Sequence, residues 1–395
     1  MIRRAVRNAA RRVEPLLPES LTSRLRAPDQ RYRMRDIPFL GEAPATSTRV
    51  LIGPVNYAAQ GYRIARALER LPDVGATAMQ TVFSKDLGFP ADQTVPRPVY
   101  LYSRSWQRAQ AEFVADNYTH VAIGAGAPLF GQLFGGDSAR EAAFLRERGV
   151  RILSIAYGSE LRLPARHREI DEWSPYRDSA WKDVARLEAN SAAYHAYLDR
   201  LDAPLGVTTP DMLLDRPGSV FVPISIDPSE WRSDLPVLER PRPVVVHAPT
   251  NAVLKGSDLI APVVERLHDE GVIDYRRVEG LPAREMRRVF GEADVVLDQF
   301  RLGMYATGAI ESMAAGRLVV AYLHDQGVEH IRDAFGLEVP VASATPATLE
   351  ALLRDVAADR ERYRARAATG PAFVAALHDG AATADAMARL LADAR

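Results

Sequence analysis

Residues 293–322 read ADVVLDQFRLGMYATGAIESMAAGRLVVAY, and this stretch decides the fold. DVVLDQF (294–300) and LVVAYL (318–323) are short, valine-rich runs that predict buried strands. Residues 305–315 between them are nearly all apolar or small, which predicts a buried helix ended by Gly316. Strand, helix and strand in that order make a parallel unit covered on both faces. Glu311 is the only charge in the helix. Burying an unpaired carboxylate is expensive, so Glu311 needs a partner, either ligand hydroxyls or an arginine. Gly303 and Gly308 permit close approach of the backbone to a ligand.

The pattern extends outward in both directions. PVVVHAP (243–249) and YRRVEG (275–280) complete a second-half sheet, with helices near 257–270, 282–291 and 346–366. Upstream, RVLIG (49–53), HVAIGAG (120–126), RILSIAY (151–157) and LGVTT (205–209) form another strand set, separated by helices near 61–70, 137–148 and 178–200. The expected domains are residues 47–217 and 218–369, preceded by 1–46 and followed by a helical segment, 370–395. Two doubly wound units place their strand ends at a cleft, a favoured place for a ligand.

At 395 residues, with 47% apolar and 26% charged residues, the chain is an ordinary globular protein of two or more domains. It has no cysteine, which excludes disulfides, thiolate metal sites and cysteine nucleophiles, and fits a cytoplasmic location. No apolar run is long enough to cross a membrane. Net charge is −1, but residues 1–35 hold ten arginines against three acids. The body is therefore acidic, and nucleic acid is not an expected partner. Residues 2–17 have the stripe of a basic amphipathic helix, suited to an anionic membrane surface or to a solvated face. Residues 18–46 read as an irregular linker.

Two more loops carry candidate chemistry. Gly53 to Gly61 joins the first strand to its helix and can offer backbone N–H groups to an anion, or be an ordinary turn. It is neither GxGxxG nor a P-loop. His247 to Asp258 (HAPTNAVLKGSD) follows a strongly apolar strand and carries Lys255. Only Lys85, Lys182 and Lys255 are lysines among 50 basic residues, so a lysine beside a helix N-terminus is either a phosphate ligand or a surface residue. The eight histidines have no metal spacing, and no metal site is expected.

Together these loops resemble the retaining GT-B glycosyltransferases, the large group that includes sucrose, trehalose and mannosyl transferases. The resemblance covers roughly residues 48–395. VPISID (222–227) is similar to the segment entering the second domain, HAPTNAVLKGSD to the diphosphate loop, and ADVVLDQF…GAIESMAAGRLVVAY to the nucleotide-sugar motif. GPAFVAALHDGAATADAMARLL (370–391) resembles the terminal segment that crosses back to the first domain. The resemblance implies that Lys255 contacts the donor diphosphate and Glu311 the ribose hydroxyls. Gly53, Asn56, Thr250, Asn251, Gly256, Asp298, Gln299, Gly303, Tyr305 and Gly308 would line the donor site. Ser159, Glu160 and Arg162, in the segment Tyr157-Gly158-Ser159-Glu160-Leu161-Arg162, would face the acceptor. No cofactor is implied beyond the nucleotide-sugar co-substrate, and the acceptor would be a glycan, lipid or small molecule. Transfer would retain anomeric configuration. Two departures stand out: Gly303 occupies the position of a Glu common in that group, and Thr250 and Asn251 stand where an Arg is common. A sugar-nucleotide epimerase and a non-catalytic binding or assembly protein of the same fold are the competing readings.

Overall fold

The computed structural model describes residues 18–81, 88–178 and 181–394. The expected basic helix of residues 2–17, and Lys85, lie outside the described residues.

Seven parallel strands form the first sheet: β1 Thr48–Gly53, β2 Val74–Thr81, β3 Gln93–Val95, β4 His120–Gly124, β5 Arg151–Ala156, β6 Leu205–Val207 and β7 Val220–Phe221. Their order is β3-β2-β1-β4-β5-β6-β7. Five more parallel strands form the second: β8 Val244–His247, β9 Asp274–Arg277, β10 Val295–Leu297, β11 Leu318–Ala321 and β12 Ala342–Ser343, in the order β12-β11-β10-β8-β9. Both orders reverse direction once, between β1 and β4 and between β8 and β10. Loops diverge from such a switch point and leave a crevice at the strands' C-terminal ends.

The expected strands are present; β1 runs to Gly53 as its apolar run does, and the others end before theirs, because the last residues turn into the loops. The helix expected over 346–366 is two helices, Leu349–Ala358 and Arg360–Ala368, meeting at Asp359. Residues 18–46 are less irregular than expected. They carry the helix Glu19–Leu25 and two single turns, and Tyr32 donates its hydroxyl to Glu19, which also accepts from Ser103 and Ser105 of the first domain.

The chain ends by returning to its beginning. The helix Gly370–Leu377 packs on Thr307–Ala314 so closely that a Cβ on Gly370 would lie 2.7 Å from the Met313 carbonyl oxygen. The last helix, Ala381–Asp393, then inserts Met387, Leu390 and Leu391 into the apolar core of the first sheet, against Ile64 and Leu68. Thr383 donates to the Pro223 carbonyl and Ile226 to that of His378, so the segment entering the second domain and the segment leaving it are bonded to each other.

Candidate active site

The second-domain half of the site grows from the ends of β8 and β10. His247 closes β8 and is fully buried. Burial pushes its imidazole down to about 4, so it is neutral and cannot act as a cation. Its Nδ1 donates to the Leu297 carbonyl at 2.9 Å and its Nε2 accepts from the Ser257 hydroxyl at 2.8 Å. It is a strut joining β8, β10 and the start of the next helix. Asn251 then caps the one-turn helix Ala252–Lys255 by accepting from Leu254. Gly256 sits at φ 69°, and a Cβ there would lie 3.1 Å from Cγ of Arg301 and 3.3 Å from Cβ of Phe300. Phe300 donates its N–H to the Lys255 carbonyl. The two loops are thus stitched together, and only glycine fits the stitch.

Lys255 pairs with Asp298, whose side chain is only 4% exposed. The other oxygen of Asp298 accepts the Ala306 N–H at 2.9 Å, at the entry to the helix Thr307–Ala314. Gly308 lies over Asp298, a Cβ there coming 3.9 Å from Oδ1. Glu311 stands one turn further along. No hydrogen bond or salt bridge engages its carboxylate among the described residues, so the arginine partner that the sequence allowed is not found. Burial raises Glu311 to about 8, with Asp298 adding to the rise and Arg63, Lys255 and Arg287 opposing it. Those two arginines come from different domains and meet on Glu230, at 2.7 and 2.9 Å. Sequence alone gave no sign of Arg63, Arg287 or Glu230, because arginine is this protein's general surface cation.

The remaining candidates divide by what their side chains do. Thr250 and Asn251 are exposed. Gln299 is buried, and its carbonyl accepts from Tyr322. The side chain of Tyr305 turns away from Lys255 and Glu311: its ring packs against Phe373 and its hydroxyl donates to His378 in the core beneath the returning segment. Gly53 is held by packing, since a Cβ would lie 2.9 Å from the Met79 carbonyl oxygen. Asn56 is consumed by its own loop, donating to Gln80 and Pro90 and accepting from Tyr62. Arg162 is buried and locked to Asp211 and Thr209, so it is a scaffold cation, not a free acceptor ligand. Ser159 and Glu160 are half-buried, and Glu160 accepts the Tyr157 N–H at 2.5 Å.

Gly303 joins the halves. At φ 67° it accepts from His324, and a Cβ would lie 2.9 Å from Cβ of His324 and 3.5 Å from Oδ2 of Asp171 in the first domain. Asp171 also receives the Tyr322 hydroxyl. A narrow cavity lined by His167, Asp171, Asp211, Leu302, Gly303 and His324 marks this junction. Among the described residues, no group of three or more His, Cys, Asp or Glu side chains is arranged to hold a metal.

This architecture is the GT-B fold, two doubly wound domains with the chain's end returned to the first. Among solved structures, the chain is similar to sucrose-phosphate synthase from Thermosynechococcus elongatus (16% identity, 87% of this chain and 98% of that one, TM-score 0.54). It is also similar to Anabaena HepE in complex with UDP-glucose (10%, 87% and 99%, TM-score 0.54). The catalytic domain of Arabidopsis thaliana starch synthase IV, bound to ADP and acarbose, is a third (10%, 87% and 99%, TM-score 0.55). No protein-family model matches the chain, and no curated protein matches it by sequence.

Proposed function

We propose that this protein is a glycosyltransferase that moves a sugar from a nucleotide-sugar donor to an acceptor hydroxyl, with retention. The observation that carries the reading is the convergence of Lys255, the entry of the helix Thr307–Ala314 and the unpartnered Glu311 at the switch point of the second sheet. An ammonium beside a helix N-terminus suits a diphosphate. A carboxylate one turn along suits two vicinal hydroxyls of a ribose. The neighbours that bind UDP-glucose or ADP support the same reading by their fold. In the reaction the C1–O bond to the diphosphate breaks and the bonding pair leaves with phosphate. The acceptor oxygen bonds to C1 on the same face, and its proton passes to the departing phosphate oxygen. Lys255 would offset the charge growing there, an electrostatic role needing no change in the protein.

A thermal-shift screen against UDP, GDP, ADP, CMP and TDP and their sugar conjugates tests it, since binding adds RT ln(1 + [L]/Kd) to stability. One nucleotide is expected to raise the melting temperature, and Glu311→Ala to abolish the rise. No rise with any nucleotide sinks the reading. Nucleotide binding with no transfer to any acceptor would favour a binding protein instead, a reading to which Gly303 in place of the expected Glu lends support.

Lys255 needs a paired variant. Lys255→Ala alone strands a buried Asp298 carboxylate, which is itself destabilising. Lys255→Ala with Asp298→Asn removes both charges and keeps an acceptor for the Ala306 N–H. This double variant is expected to fold normally and to bind nucleoside diphosphate about 1–3 kcal/mol more weakly, the range for a charge-assisted contact. Unchanged affinity by calorimetry would remove Lys255 from the site.

We also propose a cytoplasmic location with peripheral contact to the membrane's inner face through residues 1–17. No helix among the described residues is long and apolar enough to cross a membrane. In the segment that follows, Leu25 (72%) and Phe39 (81%) are exposed large apolar side chains. The full chain is expected to sediment with phosphatidylglycerol-containing vesicles but not with pure phosphatidylcholine, and a chain beginning at Pro18 to lose most of that binding. Equal sedimentation of both chains defeats the proposal.

A further inference from the structure

We propose that Arg63 is a positioning residue for ligand binding at Glu311: held at the domain boundary by Glu230, it supplies from the first domain the counter-charge against which Glu311 ionises. The proposal rests on the transferase reading for the ligand alone, since the counter-charge is present without one.

The geometry begins at the helix Gln60–Leu68, which is bolted to the segment entering the second domain. Gln60 is buried; its amide accepts the Ser225 N–H at 2.9 Å and donates to the Ser225 carbonyl at 3.1 Å. Just past the helix, Arg70 donates to the Asp379 carbonyl of the returning segment at 2.8 Å. Arg63, one turn from Gln60, lines a cavity of about 440 Å³ between these segments. Its guanidinium meets Oε2 of Glu230 at 2.7 Å, and Arg287 of the second domain meets the same oxygen at 2.9 Å. A brace between the domains needs one arginine. Two guanidiniums on one oxygen repel each other, a cost that a second anion nearby offsets.

Glu311 is that anion. The turn Pro228–Glu230 packs on the helix Thr307–Ala314, and so does the helix Ala283–Glu292. Phe290, one turn beyond Arg287, would lie 3.6 Å from a Cβ on Gly308, and Gly308 is one turn before Glu311. Trp231 steadies this arm, its ring 6.0 Å from that of Phe290 and 5.9 Å from the Arg287 guanidinium. The helix Gly370–Leu377 and strands β10 and β11, packed around the same helix, bring no charge. The charged groups facing Glu311 are therefore Asp298, Arg63, Lys255 and Arg287. Lys255 is spent on Asp298, and Asp227, close to both arginines, is tied to Ser229. Of the two arginines left, Arg63 is 19% exposed and Arg287 47%, so the charge of Arg63 is the less screened.

Urea unfolding of the ligand-free full chain from pH 5 to pH 9.5 tests the counter-charge. The stability that Glu311→Gln adds grows with pH up to the folded carboxyl's own midpoint and then levels off, so the curve reads that midpoint, about 8 in the wild type. In an Arg63→Gln background the midpoint is expected to move up by about one pH unit, the low end of the range for a nearby opposite charge, and in Arg63→Lys to stay in place. Glu230→Gln breaks the same bridge but leaves both arginines charged, so there the midpoint is expected to move down. A brace alone would not give the two variants opposite shifts. A midpoint unmoved in Arg63→Gln, or unmoved or raised in Glu230→Gln, would overturn the proposal, and the second variant decides alone if the first does not fold. Calorimetry with UDP, GDP and ADP adds the ligand. Arg63→Gln is expected to weaken the nucleotide that the wild type binds by about tenfold at pH 7 and by less than about twofold at pH 9.5, which is the midpoint shift expressed as ionised fraction. An equal loss at both pH values would overturn the proposal by making Arg63 a direct contact or a brace. Failure of the wild-type protein to bind any of the three would instead strike the transferase reading, and the urea curves would still judge Arg63.

Discussion

Glu311→Gln is expected to make the ligand-free protein more stable at pH 8 while abolishing nucleotide binding. The reason is the cost of holding this carboxylate where it is. Its pKa rises from 4.5 to about 8 on folding, chiefly through burial, and no bond to the carboxylate repays the loss of water. The sign follows from linkage. Below about pH 4.5 the group is protonated in folded and unfolded chains alike and costs nothing. As pH rises toward 8 the unfolded chain ionises freely while the folded chain resists, so stability falls across that window and the penalty is complete above it. A shift of this size has an upper bound near 5 kcal/mol. Partial access of the residue to solvent reduces that, and a gain of about 1–3 kcal/mol is expected for Glu311→Gln at pH 8. Denaturant unfolding at pH 8 and pH 4.5 measures it, and the gain should vanish at the lower pH. A glutamine that destabilises at pH 8, or stabilises equally at both, would show that Glu311 is stabilised by contacts in the fold. The same linkage extends to the ligand. Ribose hydroxyls donate to the ionised form, so nucleotide binding should release a proton near neutral pH. Titration calorimetry in buffers of different ionisation enthalpy reads that proton directly. A group that destabilises the empty fold and is satisfied by its ligand is the stability–function conflict expected of a binding site.

Glu311 was legible because a single charge in an apolar helix is conspicuous. Legibility failed where the informative contact is distant in sequence. β2, VGATAMQT, carries glycine, alanine and threonine in place of a valine run; its burial comes from neighbours on both sides that one sequence does not reveal. Arg63 and Arg287 look like any other arginine until Glu230 brings them together. Tyr305 lies within the most telling motif, yet backbone proximity to a ligand does not fix where a side chain points, and its ring turns toward His378. Asn56 and Arg162 follow from the resemblance, which puts polar residues of these two first-sheet loops at the donor and the acceptor. The fold uses that polarity to hold its own loops, the commoner fate of a buried polar group.

Gly303→Glu is expected to destabilise the protein, by about 2–4 kcal/mol, and not to improve transfer. In the group that this chain resembles, a Glu at this position reaches the donor sugar, so the substitution looks like a repair. The backbone argues otherwise. Gly303 sits at φ 67°, where a side chain costs roughly 1–2 kcal/mol. Its Cβ would also come 2.9 Å from Cβ of His324, whose N–H is bonded to the Gly303 carbonyl, so neither can retreat without breaking that bond. Overpacking of this kind adds about 1–3 kcal/mol. The new carboxylate would approach Asp171, itself buried and already disfavoured as an anion. Three comparisons separate these effects. Gly303→Ala carries the strain without the charge and should account for most of the loss. Gly303→Glu in an Asp171→Asn background should recover the electrostatic part alone. A Gly303→Glu protein as stable as wild type, turning over donor faster, would mean that the loop adopts the family's conformation once given its side chain. The expected outcome is that it does not, because the glycine sits at a close contact between the two domains, beside His324 and Asp171.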